Sequence, residues 1–120
     1  MNSEGFKGLH VWQKGIELAV FIYQITQNGD FSKDYSLRNQ IRDAAVSIPS
    51  NIAEGDELAT DNQAIKHFYI SKGSCAEVLT QAIIAQKIGY LDITEFKELE
   101  SRCTELSKML AKLIAARSKP

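Results

Sequence analysis

The sequence predicts an all-α fold: an antiparallel up-down four-helix bundle with a proline-kinked second helix. Three observations carry this. The 3.6-residue apolar period recurs four times, strand alternation is absent, and only two prolines occur, one of them the last residue. Short polar joints separate the four periodic runs, and helices joined by short loops pack antiparallel. The whole chain, 1–120, is expected to be a single domain, long enough to bury a substantial core.

The first helix is predicted over about 10–28, with Trp12, Ile16, Ala19, Tyr23 and Thr26 along one stripe. Leu18, Ile22 and Ile25 widen that stripe, and Gly29 suits the left-handed residue that closes a helix. "GDFSKD" is the expected joint. The second helix is predicted over about 35–58, with Leu37, Ile41, Ala44 or Ala45, Ile48 and Ile52 facing the core. The third is predicted over 61–88, capped by Thr60 with Gln63 as its partner, and ended by Gly89. Its core face is Ile65, Phe68, Cys75, Val78, Leu79, Ala82 and Ile83. The fourth is predicted over about 92–117, with Asp92 and Glu95 as a capping box and Phe96, Leu99, Cys103, Leu106, Leu110 and Leu113 inside.

Pro49 falls within the second helix, in "AAVSIPSNIAEG". A proline there removes the hydrogen bond to the Ala45 carbonyl and costs about 3 kcal/mol. The expected result is a kink that bends the helix around its neighbour. Ser47, Ser50 and Asn51 are short polar groups that can satisfy local backbone or meet a facing helix.

Composition excludes several function classes. A net charge of −1 gives no strong global field toward nucleic acid or membrane. No apolar run approaches the roughly 20 residues of a membrane span. The start "MNSEGFKGLHVWQKG" lacks a signal pattern, so the chain is expected to stay in the cytoplasm. Cys75 and Cys103 are then reduced, and both occupy apolar helical positions. Two cysteines and two distant histidines, His10 and His67, form no metal-ligand pattern. There is no Gly-rich phosphate loop, HExxH or GxSxG, so neither a cofactor nor catalysis is expected.

The charged residues are more informative. Arg38 and Arg42 share one helix face, and Glu54 and Glu77 sit among apolar neighbours. These four are expected to form a structural polar network between helices; the rival reading leaves the arginines free for phosphate. Lys108, Lys112, Arg117 and Lys119, with Lys7 and Lys14, are the candidate nucleic-acid contacts. Small residues inside helices (Gly15, Ala44, Ala45, Ser71, Gly73, Ser74, Cys75) imply close helix approach or a surface against another subunit. Val20, Phe21, Ile70, Ile84 and Ile88 leave the core lines of their helices, which points to self-association.

"LHVWQKGIELAVFIYQIT", "YSLRNQIRDAAVSIPSNIAEG" and "FYISKGSCAEVLTQAIIAQKIGYL" closely resemble the four-helix bundle family of proteins encoded in intervening sequences of bacterial large-subunit ribosomal RNA. The resemblance runs from about Leu9 to Leu91. It implies a ring-like homopentamer and carries no catalytic residue. A related branch, the accessory proteins of diversity-generating retroelements, binds a reverse transcriptase and nucleic acid through the pentamer. This chain departs from the common pattern at Asp43, where a second arginine is usual, and at "DEL" after "AEG". Both changes remove positive charge.

The expected function is therefore a non-enzymatic homo-oligomeric scaffold or adaptor, pentameric by resemblance, that binds RNA, DNA or a nucleic-acid enzyme. The alternative is a protein-only interaction module, which the acidic "EGDELATD" joint favours.

Overall fold

The structure is a computed structural model that describes residues 5–118. A 3-10 turn at Gly5–Gly8 precedes α1 (His10–Ile25), α2 (Gly29–Lys33), α3 (Tyr35–Glu57), α4 (Asp61–Lys87) and α5 (Ile93–Arg117). The described residues contain helices and no strand. The molecule measures 48 × 22 × 22 Å, so its long helices lie side by side along one axis. α3 packs on α1 and on α4, α4 packs on α5, and α5 returns to α1.

Local chemistry explains the boundaries. α1 ends at Ile25, three residues before the expected Asn28. Thr26 turns its hydroxyl back to the Ile22 carbonyl at 2.7 Å, and the Arg42 Nε donates to that same hydroxyl at 2.8 Å. Gly29 is left-handed, with φ +68°, but it opens α2 rather than closing α1. The expected joint "GDFSKD" is thus mostly helical, because Phe31 has an apolar ring to bury. That ring packs on Tyr90 with centroids 5.3 Å apart. Asp34 then caps α3 by accepting from the Leu37 amide at 3.1 Å, while its other oxygen accepts from the Tyr90 hydroxyl at 2.9 Å. The start of α3 is thereby tied to the end of α4.

Thr60 accepts from the Gln63 amide at 3.3 Å, one arm of the expected box. Asp92 and Glu95 make both arms, at 2.7 and 3.2 Å. Gly89, with φ +87°, lets the chain leave α4.

The core runs the length of the molecule through Leu18, Ile22, Ile41, Ile48, Ile52, Phe68, Val78, Leu99, Leu106 and Leu110. On α1 the buried stripe is Val11, Gly15, Leu18, Ala19 and Ile22. The stripe expected for this helix is rotated: Ile16 and Tyr23 stand in solvent. Ile83 of α4 is likewise outside.

Pro49 is buried within α3, and the helix continues through it. Two neighbours grip this turn. A Cβ built on Gly15 of α1 would lie 3.3 Å from the Pro49 Cβ, so α1 approaches the ring closely. From α4, the Ser71 hydroxyl donates to the Ile48 carbonyl at 2.8 Å. No helix among the described residues is long and apolar enough to cross a membrane.

Candidate interaction surfaces

The expected network of Arg38, Arg42, Glu54 and Glu77 does not come together. The arginines sit near the start of α3, and Glu54 is sixteen residues beyond Arg38, about 24 Å along a helix. Arg42 faces α1. Its guanidinium lies 4.4 Å from the Tyr23 ring centroid and reaches the Tyr23 carbonyl at 3.5 Å, besides its bond to Thr26. Arg38 donates to the Ser32 carbonyl at 2.9 Å and to Asn39 Oδ1 at 3.2 Å, with its guanidinium 4.7 Å from the Tyr35 ring centroid. Both arginines therefore satisfy carbonyls at the ends of α1 and α2, where helix dipoles favour a cation.

The polar residues around Pro49 build the α3–α4 seam instead. Asn51 Nδ2 donates to the Ser47 carbonyl at 2.9 Å and to the Ser47 hydroxyl at 3.0 Å. Ser74 of α4 donates to that hydroxyl at 3.0 Å. His67 Nδ1 lies 2.9 Å from Asn51 Oδ1 and 3.3 Å from Glu54 Oε2. Glu54 thus pairs with a histidine rather than an arginine. Sequence patterns pointed to Ser47 and Asn51 but left His67 without a partner. Glu77 is exposed and lines a cleft between α3 and α4 with Gln40, Asp43, Ser47, Ser74 and Gln81.

The basic residues scatter. Lys14 pairs with Glu105 at 3.5 Å. Arg117 is neutralised by Asp56 at 3.0 Å and Asp61 at 3.2 Å, which ties the end of α5 to the start of α4. Lys7 is exposed in the N-terminal turn, and Lys119 lies outside the described residues. Lys108 and Lys112 remain as an exposed pair one turn apart on α5. Lys108 also borders a groove of about 340 Å³ between α4 and α5, opposite Lys72. Cys75 and Cys103 line its floor; burial pushes both thiols up to about 12, the Lys72 ammonium partly opposing at Cys75. Among the described residues no group of three or more His, Cys, Asp and Glu could hold a metal ion.

The apolar surface is more coherent. The outer side of α4 exposes Tyr69, Ile70, Ile83, Ile84 and Ile88, four of these five at 46% or more. Gly73 lies in this stripe with nothing within 4 Å of where its Cβ would be. α1 exposes Ile16 and Val20. Phe21, expected to join them, is instead half-buried beneath the Arg102 guanidinium, 4.8 Å from its ring centroid.

Comparison with known proteins bears on this architecture. The family model described as 23S rRNA-intervening sequence protein matches residues 7–112. No curated protein matches the chain in sequence. The fold is similar to a crystal structure of a protein with unknown function from the S23 ribosomal protein family of Bacteroides thetaiotaomicron. The two share 23% identity and a TM-score of 0.80, over 87% of this chain and 97% of that one.

Proposed function

The chain belongs to the 23S rRNA-intervening sequence protein family, and from that premise we propose that it is a non-enzymatic homo-oligomeric scaffold or adaptor in the cytoplasm. Its unit is an antiparallel up-down four-helix bundle, with α3 bending at Pro49 around α1. The carrying observation is the pair of unpartnered apolar faces. α1 and α4 stand opposite each other in the helix cycle, so their exposed isoleucines point to opposite sides of the molecule. Different patches on opposite sides favour a heterologous contact, which closes into a ring when the rotation per copy permits. The family resemblance favours five copies. Lys108 and Lys112 on each copy supply the candidate contacts to a polyanion such as RNA.

Native mass spectrometry of the untagged protein tests this reading. A clean multiple of 13.4 kDa is expected, five being the family's number. A plain monomer at micromolar concentration overturns it. Heavier species that collapse on nuclease treatment favour the nucleic-acid arm. The protein-only alternative rests on the cleft between α3 and α4, where Asp43 and Glu77 present carboxylates that repel phosphate. An assembly free of nucleic acid that retains a protein partner supports that alternative.

A further inference from the structure

The chain has four arginines, and they divide cleanly. Arg102 lies 3.6 Å from Glu98, and Arg117 contacts two aspartates. Arg38 and Arg42 have no carboxylate within 4.0 Å among the described residues; their partners are neutral oxygens and tyrosine rings. The nearby carboxylates are turned elsewhere. Asp34 is taken up by the Leu37 amide and the Tyr90 hydroxyl, and Asp43 faces the α3–α4 cleft. Two cations one helical turn apart are thus left with their full charge.

Each guanidinium lies against an exposed tyrosine: Tyr35 is 66% exposed and Tyr23 44%. The order along the α1–α3 face is Tyr35, Arg38, Arg42, Tyr23. Backbone carbonyls of α1 and α2 hold the guanidinium planes, so the ladder is ordered before any ligand arrives. Exposed aromatic faces flanking a pair of unpaired cations offer the chemistry of single-strand recognition, in which bases stack on rings and phosphates meet guanidinium groups.

We infer that Tyr35, Arg38, Arg42 and Tyr23 form a binding site for single-stranded nucleic acid, with two bases stacked on the tyrosines and the intervening phosphates on the arginines. The inference deepens the nucleic-acid arm of the proposed function and rests on it. It adds a contact on the α1–α3 face to that of the α5 lysines, and Tyr23, in the last turn of α1, lies beyond Ile16 and Val20 toward the end of the bundle. A duplex cannot use this site, because its bases are already stacked on one another.

The test is fluorescence anisotropy of the full chain with a short labelled oligouridylate, a duplex of matched length and a labelled oligoglutamate. The expected result is tighter binding of the single strand than of either other probe. Tyr23→Ala and Tyr35→Ala each weaken it about tenfold or more, and the tryptophan substitutions restore it. Arg38→Gln with Arg42→Gln lowers the salt slope by about 0.7 for each phosphate that an arginine had neutralised. Thermal melts by circular dichroism confirm that each variant is folded, and the tryptophan variants serve where alanine fails to fold. Loss of binding with Lys108→Glu and Lys112→Glu, but not with the tyrosine variants, overturns the site and spares the nucleic-acid reading. Equal binding of oligoglutamate, indifferent to the tyrosines, overturns it in favour of an acidic protein partner. No binding of any probe overturns it as well. The assembled mass is measured separately, so a failed scaffold and a failed site are told apart.

Discussion

At the scale of single residues, the glycines separate two meanings of a small side chain. At Gly55 a Cβ would lie 2.7 Å from Phe68 Cε1, 3.1 Å from the Ala64 carbonyl oxygen and 3.1 Å from His67 Cβ. Alanine would gain up to about 1 kcal/mol of helix propensity there. Overpacking costs about 1–3 kcal/mol, and the backbone oxygen cannot move aside cheaply. Gly55→Ala is therefore expected to lower stability by about 1–2 kcal/mol in chemical denaturation. Gly73→Ala meets open space in the single copy and is expected to raise stability by up to about 1 kcal/mol. A loss at Gly73 would mean that a second copy's backbone already occupies that space. In the sequence both are simply glycines within helical runs, since spacing does not say what stands across from them. The arginines teach the same point. Their shared face was legible, but their partners were not, because carbonyls at helix ends and tyrosine rings leave no charge pattern to read.

At the scale of elements, the α4–α5 seam carries a pH dependence. Burial raises the Cys75 and Cys103 thiols from their ordinary value of 9.0 to about 12. Unfolding returns them to that ordinary value, so above it the unfolded chain releases protons that the folded chain holds. The seam's contribution is complete below pH 9 and is lost as pH rises toward 12. Each thiol contributes up to about 1.4 kcal/mol per pH unit across that window. The Tyr90 hydroxyl is shifted in the same direction, chiefly by its bond to Asp34. Urea midpoints should therefore hold from neutral pH up to 9.0 and fall steeply above it, less steeply in the Cys75→Ala, Cys103→Ala variant. An equal slope in both proteins would remove the thiols from this account. The long helices were legible because their apolar period is regular over many turns. α2 was not, because five residues are too short to show a period and a single ring, Phe31, decides its burial. The rotation of the α1 stripe was not legible, because Ile16 and Tyr23 are apolar enough to pass for core residues. His67 was legible as part of no metal-ligand pattern but not as the end of the Ser74–Ser47–Asn51 chain, which exists only once α3 and α4 meet.

At the scale of the whole molecule, the two apolar faces decide how copies join. If the α1 face of one copy meets the α4 face of the next, every contact uses both patches. Ile16→Glu spoils one side of every contact, and Ile84→Glu spoils the other, because an unpaired carboxylate is costly to bury. Each variant alone is then expected to be a monomer of 13.4 kDa. Mixed together, they retain one sound α4 face and one sound α1 face between them. A one-to-one pair should form and grow no further, since the remaining outer faces are both spoiled. A two-fold contact of α4 on α4 gives another pattern: Ile16→Glu stays assembled, Ile84→Glu does not, and mixing rescues nothing. Sedimentation velocity on the two variants and their mixture reads these cases apart. The pair in the mixture, absent from either component, is the outcome that a head-to-tail ring requires.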